Sequence, residues 1–327
     1  MTRAWTRLAA SIGAIATLVG CASPDLRPTS KGVTVIADGF NGPTQIADGP
    51  DGLLLVAQLN GEENASTGQV VVFDPRTKAK RVLLTALDKP TGVLWQDGVL
   101  WVMVHRGLVR AQWNRDDTVA GPVESVLENL AFNGRSEGTL TSVDGGRFLY
   151  ETTGTLIGDS PEPGSGTLWL FNPTTKTSTP VATGAKNAYA HAVLPDGRIV
   201  TTEIGDNIAN APVEEINIIP LSPTADLGWP RCAGDQDCAA VIRPTALFPK
   251  SSTPTGVAVK GNDIFVTLFV TGQLMRVPLG TWTAGQPPVL STEVATGLRG
   301  PHTVLARPDG TLWISEHLAN RIVSIKP

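Results

Sequence analysis

Residues 300–316, GPHTVLARPDGTLWISE, read as one complete folding unit: a Gly-Pro turn, a short apolar strand, a Pro-Asp-Gly hairpin and a second apolar strand. The unit recurs as GPTQIADGPDGLLLVAQ (42–58), KPTGVLWQDGVLWVMV (89–104), SEGTLTSVDGGRFLYET (136–152), NAYAHAVLPDGRIVTTE (187–203) and TPTGVAVKGNDIFVTLF (253–269). Aligned on the hairpin residue (Gly52, Gly98, Gly146, Gly197, Asn262, Gly310), the copies lie 46, 48, 51, 65 and 48 residues apart. Each runs on into a further apolar strand, at 69–73, 108–113, 167–171, 216–219, 274–277 and 321–325. Short strands rich in Val, Leu, Ile and Trp at this spacing, without helical periodicity, predict an all-β, six-bladed β-propeller over residues 32–327. The last copy has no outer strand before Pro327. The segment GVTVIA (32–37) is expected to supply it, closing the ring by pairing the N- and C-terminal strands.

The chain begins MTRAWTRLAASIGAIATLVGCAS, with Arg3 and Arg7 ahead of an apolar run (8–19) too short to span a bilayer. Residues 1–20 therefore read as an export signal. Leu18-Val19-Gly20-Cys21 resembles the bacterial lipobox, which implies cleavage before Cys21, acylation of its thiol and lipid anchoring on the extracytoplasmic side of the cell membrane. An ordinary secretory signal with an incidental cysteine is the alternative. Residues 21–31 are polar and contain Pro, as a tether would. Cleavage removes Arg3 and Arg7 and leaves 24 basic against 30 acidic residues, a net charge of −6, which argues against a nucleic-acid partner. Cys232 and Cys238 enclose AGDQD; in an oxidising compartment this predicts a disulfide, a metal site being the weaker reading. A monomer is expected.

In a propeller the innermost strands begin at one mouth of a central channel, so the residues just before them form a ring. These are Thr44, Thr91, Gly138, Tyr189, Thr255 and His302, four of them preceded by Pro, which reads as turn chemistry. Lys89, Arg135, Lys186 and Arg299 stand two or three positions earlier in four different blades. Convergent cations suit a carboxylate or phosphate ligand. Of four histidines, only His302 falls on this rim; His191 reads as a core residue, and His105 and His317 as lying after the second strands, away from the ring. Glu137 is the rim carboxylate of the third blade.

The long interval between the fourth and fifth copies carries Glu203-x-Gly205-Asp206-Asn207, Glu214-Glu215-Ile216-Asn217 and Leu227-Gly228-Trp229-Pro230. In order and spacing these resemble the Glu-x-Gly-x-Asn, Asp-Glu-Leu/Ile-Asn and Tyr-Gly-Trp-Pro segments of the soluble quinoprotein glucose/sorbosone dehydrogenases. The resemblance implies pyrroloquinoline quinone (PQQ) and calcium at the channel mouth and oxidation of a sugar or alcohol there. It places Lys186-Asn187 where the family has an Arg-Asn pair contacting the quinone, and Gly205 and Asp206 where backbone carbonyls hold calcium. The family's histidine base precedes the third inner strand, where this chain reads Asn133-Gly134-Arg135-Ser136-Glu137. A family lysine corresponds to Val270, and its paired arginines to Arg299 and His302.

The candidate site is therefore His302 and Glu137 as catalytic groups, Lys89, Arg135, Lys186, Asn187 and Arg299 as cofactor contacts, and Gly205 and Asp206 at the metal. Two other functions fit the same fold. One is a non-catalytic propeller binding an anionic ligand, a glycan or a protein. The other is a calcium-dependent lactonase, which the basic rim disfavours.

Overall fold

The computed structural model describes residues 29–327 apart from 63–64, 135, 206–213, 237 and 281–282. The export signal, Cys21, most of the tether, Arg135 and Asp206 lie outside the described residues.

Six antiparallel sheets follow one another along the chain, as the repeat predicts. The first blade shows the pattern: Pro43–Asp48, Leu54–Gln58, Gly68–Phe73 and Lys80–Leu87, ordered from the channel outward. The sixth combines Pro301–Ala306, Leu312–Glu316 and Arg321–Ile325 with Thr34–Ala37, which pairs antiparallel to Arg321–Ile325 and closes the ring. The third blade carries one more short parallel pairing, Ala225–Asp226, and a small hairpin at 156–161. Among the described residues, helix is confined to two 3-10 turns, and no helix is long and apolar enough to cross a membrane.

The continuous apolar strands follow from burial of both sheet faces. Along Leu54–Gln58, Leu54 and Val56 pack toward the sixth blade while Leu55 and Ala57 pack toward the second. In the second blade Leu100, Val102 and Val104 return that contact, and Trp101 and Met103 face the third. Since successive side chains point to opposite faces, each strand feeds two inter-blade cores. Described apolar residues cluster at all six junctions.

Close approach at the small inner radius dictates glycine. A Cβ at Gly138 would lie 2.2 Å from the Tyr189 carbonyl oxygen in the next blade, and one at Gly256 would lie 2.8 Å from that of His302.

Candidate functional site

The rim residues belong to a belt that ties blade to blade. Thr44 Oγ1 donates to Pro90 O (2.9 Å), Thr91 Oγ1 to Gly138 O (3.2 Å), Thr139 N to Tyr189 O (2.8 Å), Thr255 Oγ1 to Pro301 O (3.1 Å) and Thr303 Oγ1 to Thr44 O (3.1 Å). The rim threonines thus do more than shape turns. Deeper in the channel, buried Gln45 bridges three blades: its Nε2 donates to Leu140 O (2.8 Å), and its Oε1 accepts from Val93 N (2.8 Å) and Leu140 N (2.9 Å).

Above the belt lies a mouth cavity of about 430 Å³ whose wall includes Thr44, Thr91, Tyr189, Thr255 and His302, with Ser136, Asn187, Phe269 and His317. A second cavity, of about 540 Å³, occupies the far end, with Gln45 and His191 in its wall. One side of the mouth is an aromatic corner. The His302 ring lies 5.5 Å from Tyr189, 5.9 Å from Phe269 and 5.7 Å from His317, centre to centre. His302 Nε2 is 3.1 Å from the Tyr189 hydroxyl, and its buried Nδ1 has no hydrogen-bond partner among the described residues. Burial, reinforced by the neighbouring His317, pushes this imidazole well below the ordinary histidine range, so it is neutral at working pH.

His317 corrects the sequence reading, which set it away from the ring. It lines the mouth because a blade's second strand runs antiparallel to its first and ends where the first begins. His191 lies in the core as expected, but unsatisfied: neither ring nitrogen has a partner among the described residues, and burial lowers its pKa to about 3.

The other candidates stand behind the mouth. Glu137 is fully buried; its Oε1 accepts the Arg106 N–H (2.6 Å) and lies 3.6 Å from His105 Nδ1. Burial raises this carboxyl above the usual carboxylate range, against the Arg106 N–H and the charges of His105 and Lys89. Lys89 is itself buried, with Nζ 5.8 Å from the Phe132 ring centre, and Lys186 holds Nζ 4.8 Å from that of Trp229 in the Gly-Trp-Pro loop. Arg299 is exposed, and its backbone N–H donates to Glu316 (2.6 Å). None of these three cations enters the cavity wall. Of the seven described candidates, His302 and Asn187 line the cavity; Gly205 is buried behind it, next to Ile204 in the wall.

Sequence reasoning missed a line of buried glutamates. Glu151 and Glu203 both hold their protons well above the usual range, through burial first and then through neighbouring carboxylates: Glu203 and Glu137 beside Glu151, Glu215 beside Glu203. Glu203 Oε1 accepts the N–H of Lys186 and that of Asn187 (3.1 Å), and with its amide turned toward Glu151, Asn187 donates to that carboxyl, 3.2 Å from Oε2. The repeat held a signal for this. Gln58, Glu203 and Glu316 end equivalent strands, and each accepts the backbone N–H of the residue 17 positions upstream: Asn41, Lys186 and Arg299.

The Gly-Trp-Pro loop is pinned by the expected disulfide between Cys232 and Cys238. Gly228 (φ 96°) packs against it so closely that a Cβ there would meet Cys232 Cβ at 2.8 Å.

No family model matches the chain, and no curated protein matches it in sequence. Solved structures do. It superposes on a putative oxidoreductase (glucose dehydrogenase) of Thermus thermophilus with a TM-score of 0.75 at 17% identity, covering 91% of this chain and all of that one. The PQQ-bound aldose sugar dehydrogenase of Streptomyces coelicolor gives 0.73 at 18%, covering 93% and 99%. The calcium structure of a Trichoderma reesei carbohydrate-active enzyme of family AA12 gives 0.72 at 15%, covering 93% and 98%. The chain is a six-bladed propeller whose fold resembles that of these sugar dehydrogenases.

Proposed function

We propose that the protein is an exported, lipid-anchored dehydrogenase of sugars or related alcohols that uses PQQ with calcium at the channel mouth and works as a monomer. The observation that carries this reading is His302, a neutral buried imidazole beside a cavity of cofactor size whose Nδ1 has no partner among the described residues. A space of about 430 Å³ with one aromatic side suits a flat tricyclic acid. Tyr189 and Phe269 would flank it, Asn187 and Ser136 would hydrogen-bond to it, and Lys186, whose ammonium lies against Trp229, would have to turn toward the mouth to join Arg135 in balancing its carboxylates. The carbonyls of Gly205 and Asp206 would hold the calcium. When bound, the quinone supplies a hydride acceptor.

His302 stands in for the histidine missing before the third inner strand. With Nε2–H donating to the Tyr189 oxygen, the free lone pair falls on the buried Nδ1, so the ring would have to turn toward the cavity for Nδ1 to accept the proton of a substrate hydroxyl as hydride leaves the carbon that bears it. Glu137, behind Ser136, does not touch the cavity and is assigned a positioning role toward the Arg106 and His105 turn. The test is His302→Gln, which keeps a donor toward Tyr189 but cannot take a proton. Dye-coupled turnover of the loaded enzyme should fall by about 10²–10⁴-fold while cofactor binding stays within a few-fold. Turnover within tenfold of wild type removes His302 as the base.

A further inference from the structure

The mouth end of the propeller combines exposed apolar loops with the entry of the chain, which the catalytic reading leaves unused. On the mouth face, the loops that follow second strands expose large apolar side chains: Leu156 (43% exposed) and Ile157 (64%) from the third blade, Val270 (43%) from the fifth and Leu318 (57%) from the sixth. Their place on this face is fixed by their neighbours. Phe269 and His317 line the cavity, and Gly154 N bonds to Lys186 O beside cavity-lining Asn187. The far face is built of the hairpins around Asp51, Asp97, Asp144, Asp196, Asn262 and Asp309, and the loops that lead into outer strands at that end expose Val119 (62%) and Leu290 (86%), so apolar exposure by itself does not tell the two ends apart. The other exposed large apolar residues, Val35 and Val82, lie on outer strands, and Val123 stands just before one.

The N-terminal side of the chain enters at the same end. Thr29 Oγ1 donates to Gly297 O (3.1 Å), and Ser30 N donates to Thr296 O (3.0 Å). Next to Gly297, Leu298 N bonds to Gly272 O in the turn after Val270, and Leu318 N bonds to Arg299 O. Exposed Lys31 and Arg299 flank this entry. Only eight residue steps separate Cys21 from Thr29, at most about 28 Å when fully extended. A six-residue strand is already about 20 Å tall. Turning the far face to a membrane would consume nearly the whole tether along the side of the blade; turning the mouth face to it requires none of that length.

We infer that the mouth face rests on the bilayer to which Cys21 is anchored, with Leu156 and Ile157 on one side of the cavity and Val270 and Leu318 on the other dipping among the lipid headgroups, and Lys31 and Arg299 meeting anionic lipid. This inference rests on the anchoring half of the proposed function and is independent of PQQ. Apolar side chains at the headgroup boundary and nearby cations each add to surface binding. The occupant is a lipid surface, because the tether brings one within reach of this face and the cations fit its charge. The cavity then opens toward the headgroups, and ligand arrives along the membrane surface.

The test uses the acylated full chain in vesicles of phosphatidylethanolamine and phosphatidylglycerol, carrying Leu318→Cys, Leu156→Cys or Asp309→Cys labelled with an environment-sensitive fluorophore. The native cysteines are bonded to each other or acylated, so only the introduced thiol takes the label. Labels at 318 and 156 should shift to the blue and be quenched by brominated lipid, while the label at 309 behaves as in water. In the unacylated Cys21→Ser chain, Arg299→Ala should lower partition onto phosphatidylglycerol vesicles about fivefold. Quenching at 309 equal to that at 318, or water-like spectra at all three sites in sedimenting protein, overturns the orientation alone. Protein that lacks the acyl mass and stays in the supernatant overturns the anchoring and the orientation together.

Discussion

Replacing Gln45 with methionine tests whether the channel is held by one buried amide. The substitution keeps the length and much of the volume of the side chain and removes its polar atoms. Three hydrogen bonds vanish at once: the donation to Leu140 O and the two accepted from Val93 N and Leu140 N. At about 1 kcal/mol net each, the loss is about 3 kcal/mol. Two stranded N–H groups push it upward, and water entering the adjoining cavity of about 540 Å³ pulls it back. In a protein of this size, 3 kcal/mol lowers Tm by roughly 5 °C. Urea unfolding of wild type and Gln45→Met should show a lower midpoint at an unchanged slope, since the surface exposed on unfolding stays the same. A loss below about 1 kcal/mol would mean that these contacts carry no net stability and that the blades are joined by apolar packing alone.

Gly138→Ala forces a Cβ onto the Tyr189 carbonyl and should cost at least about 1–3 kcal/mol by urea unfolding, whereas Gly146→Ala, at an open hairpin, should stay within about 0.5 kcal/mol. Glu215, raised by burial to about 7, binds more protons folded than unfolded between about pH 4.5 and 7. Its contribution is therefore full below that window and lost as pH rises through it, so Glu215→Gln should gain up to about 3 kcal/mol over wild type by pH 8 and little at pH 4. Equal stability differences at the two pH values would show that Glu215 keeps its ordinary pKa. His191 has the opposite sign: its lowered pKa means stability is lost as pH falls below about 6.5, and His191→Leu should flatten the acid side of the stability profile.

The repeat made the blades legible because each strand buries both faces, so that apolar residues run without interruption and only the Gly-Asp hairpins punctuate them. The ring closure was legible for the same reason: Arg321–Ile325 needed a partner, and Thr34–Ala37 was the unpaired strand available. The site was legible at the level of which residues begin the inner strands. It was not legible at the level of where their side chains turn. Lys89 and Lys186 start at the rim but lie against Phe132 and Trp229, because a long cationic stem next to an aromatic face and buried carboxylates finds better partners there than in an open mouth. His317 was missed because its place depends on the antiparallel return of the second strand. Gln45 was missed because a mid-strand glutamine carries no pattern of its own; only the geometry of three converging backbones reveals its use.

Titration of the unlipidated protein with PQQ in the presence of calcium, followed by calorimetry and by quinone absorbance, decides whether the channel mouth is a quinone site. Saturable binding at micromolar concentration or tighter is expected, with one cofactor per chain, abolished by filling the mouth with Thr255→Trp and weakened by removing calcium. Binding that is absent, or that persists unchanged in Thr255→Trp, would contradict it and leave the propeller as a binding module for some other ligand.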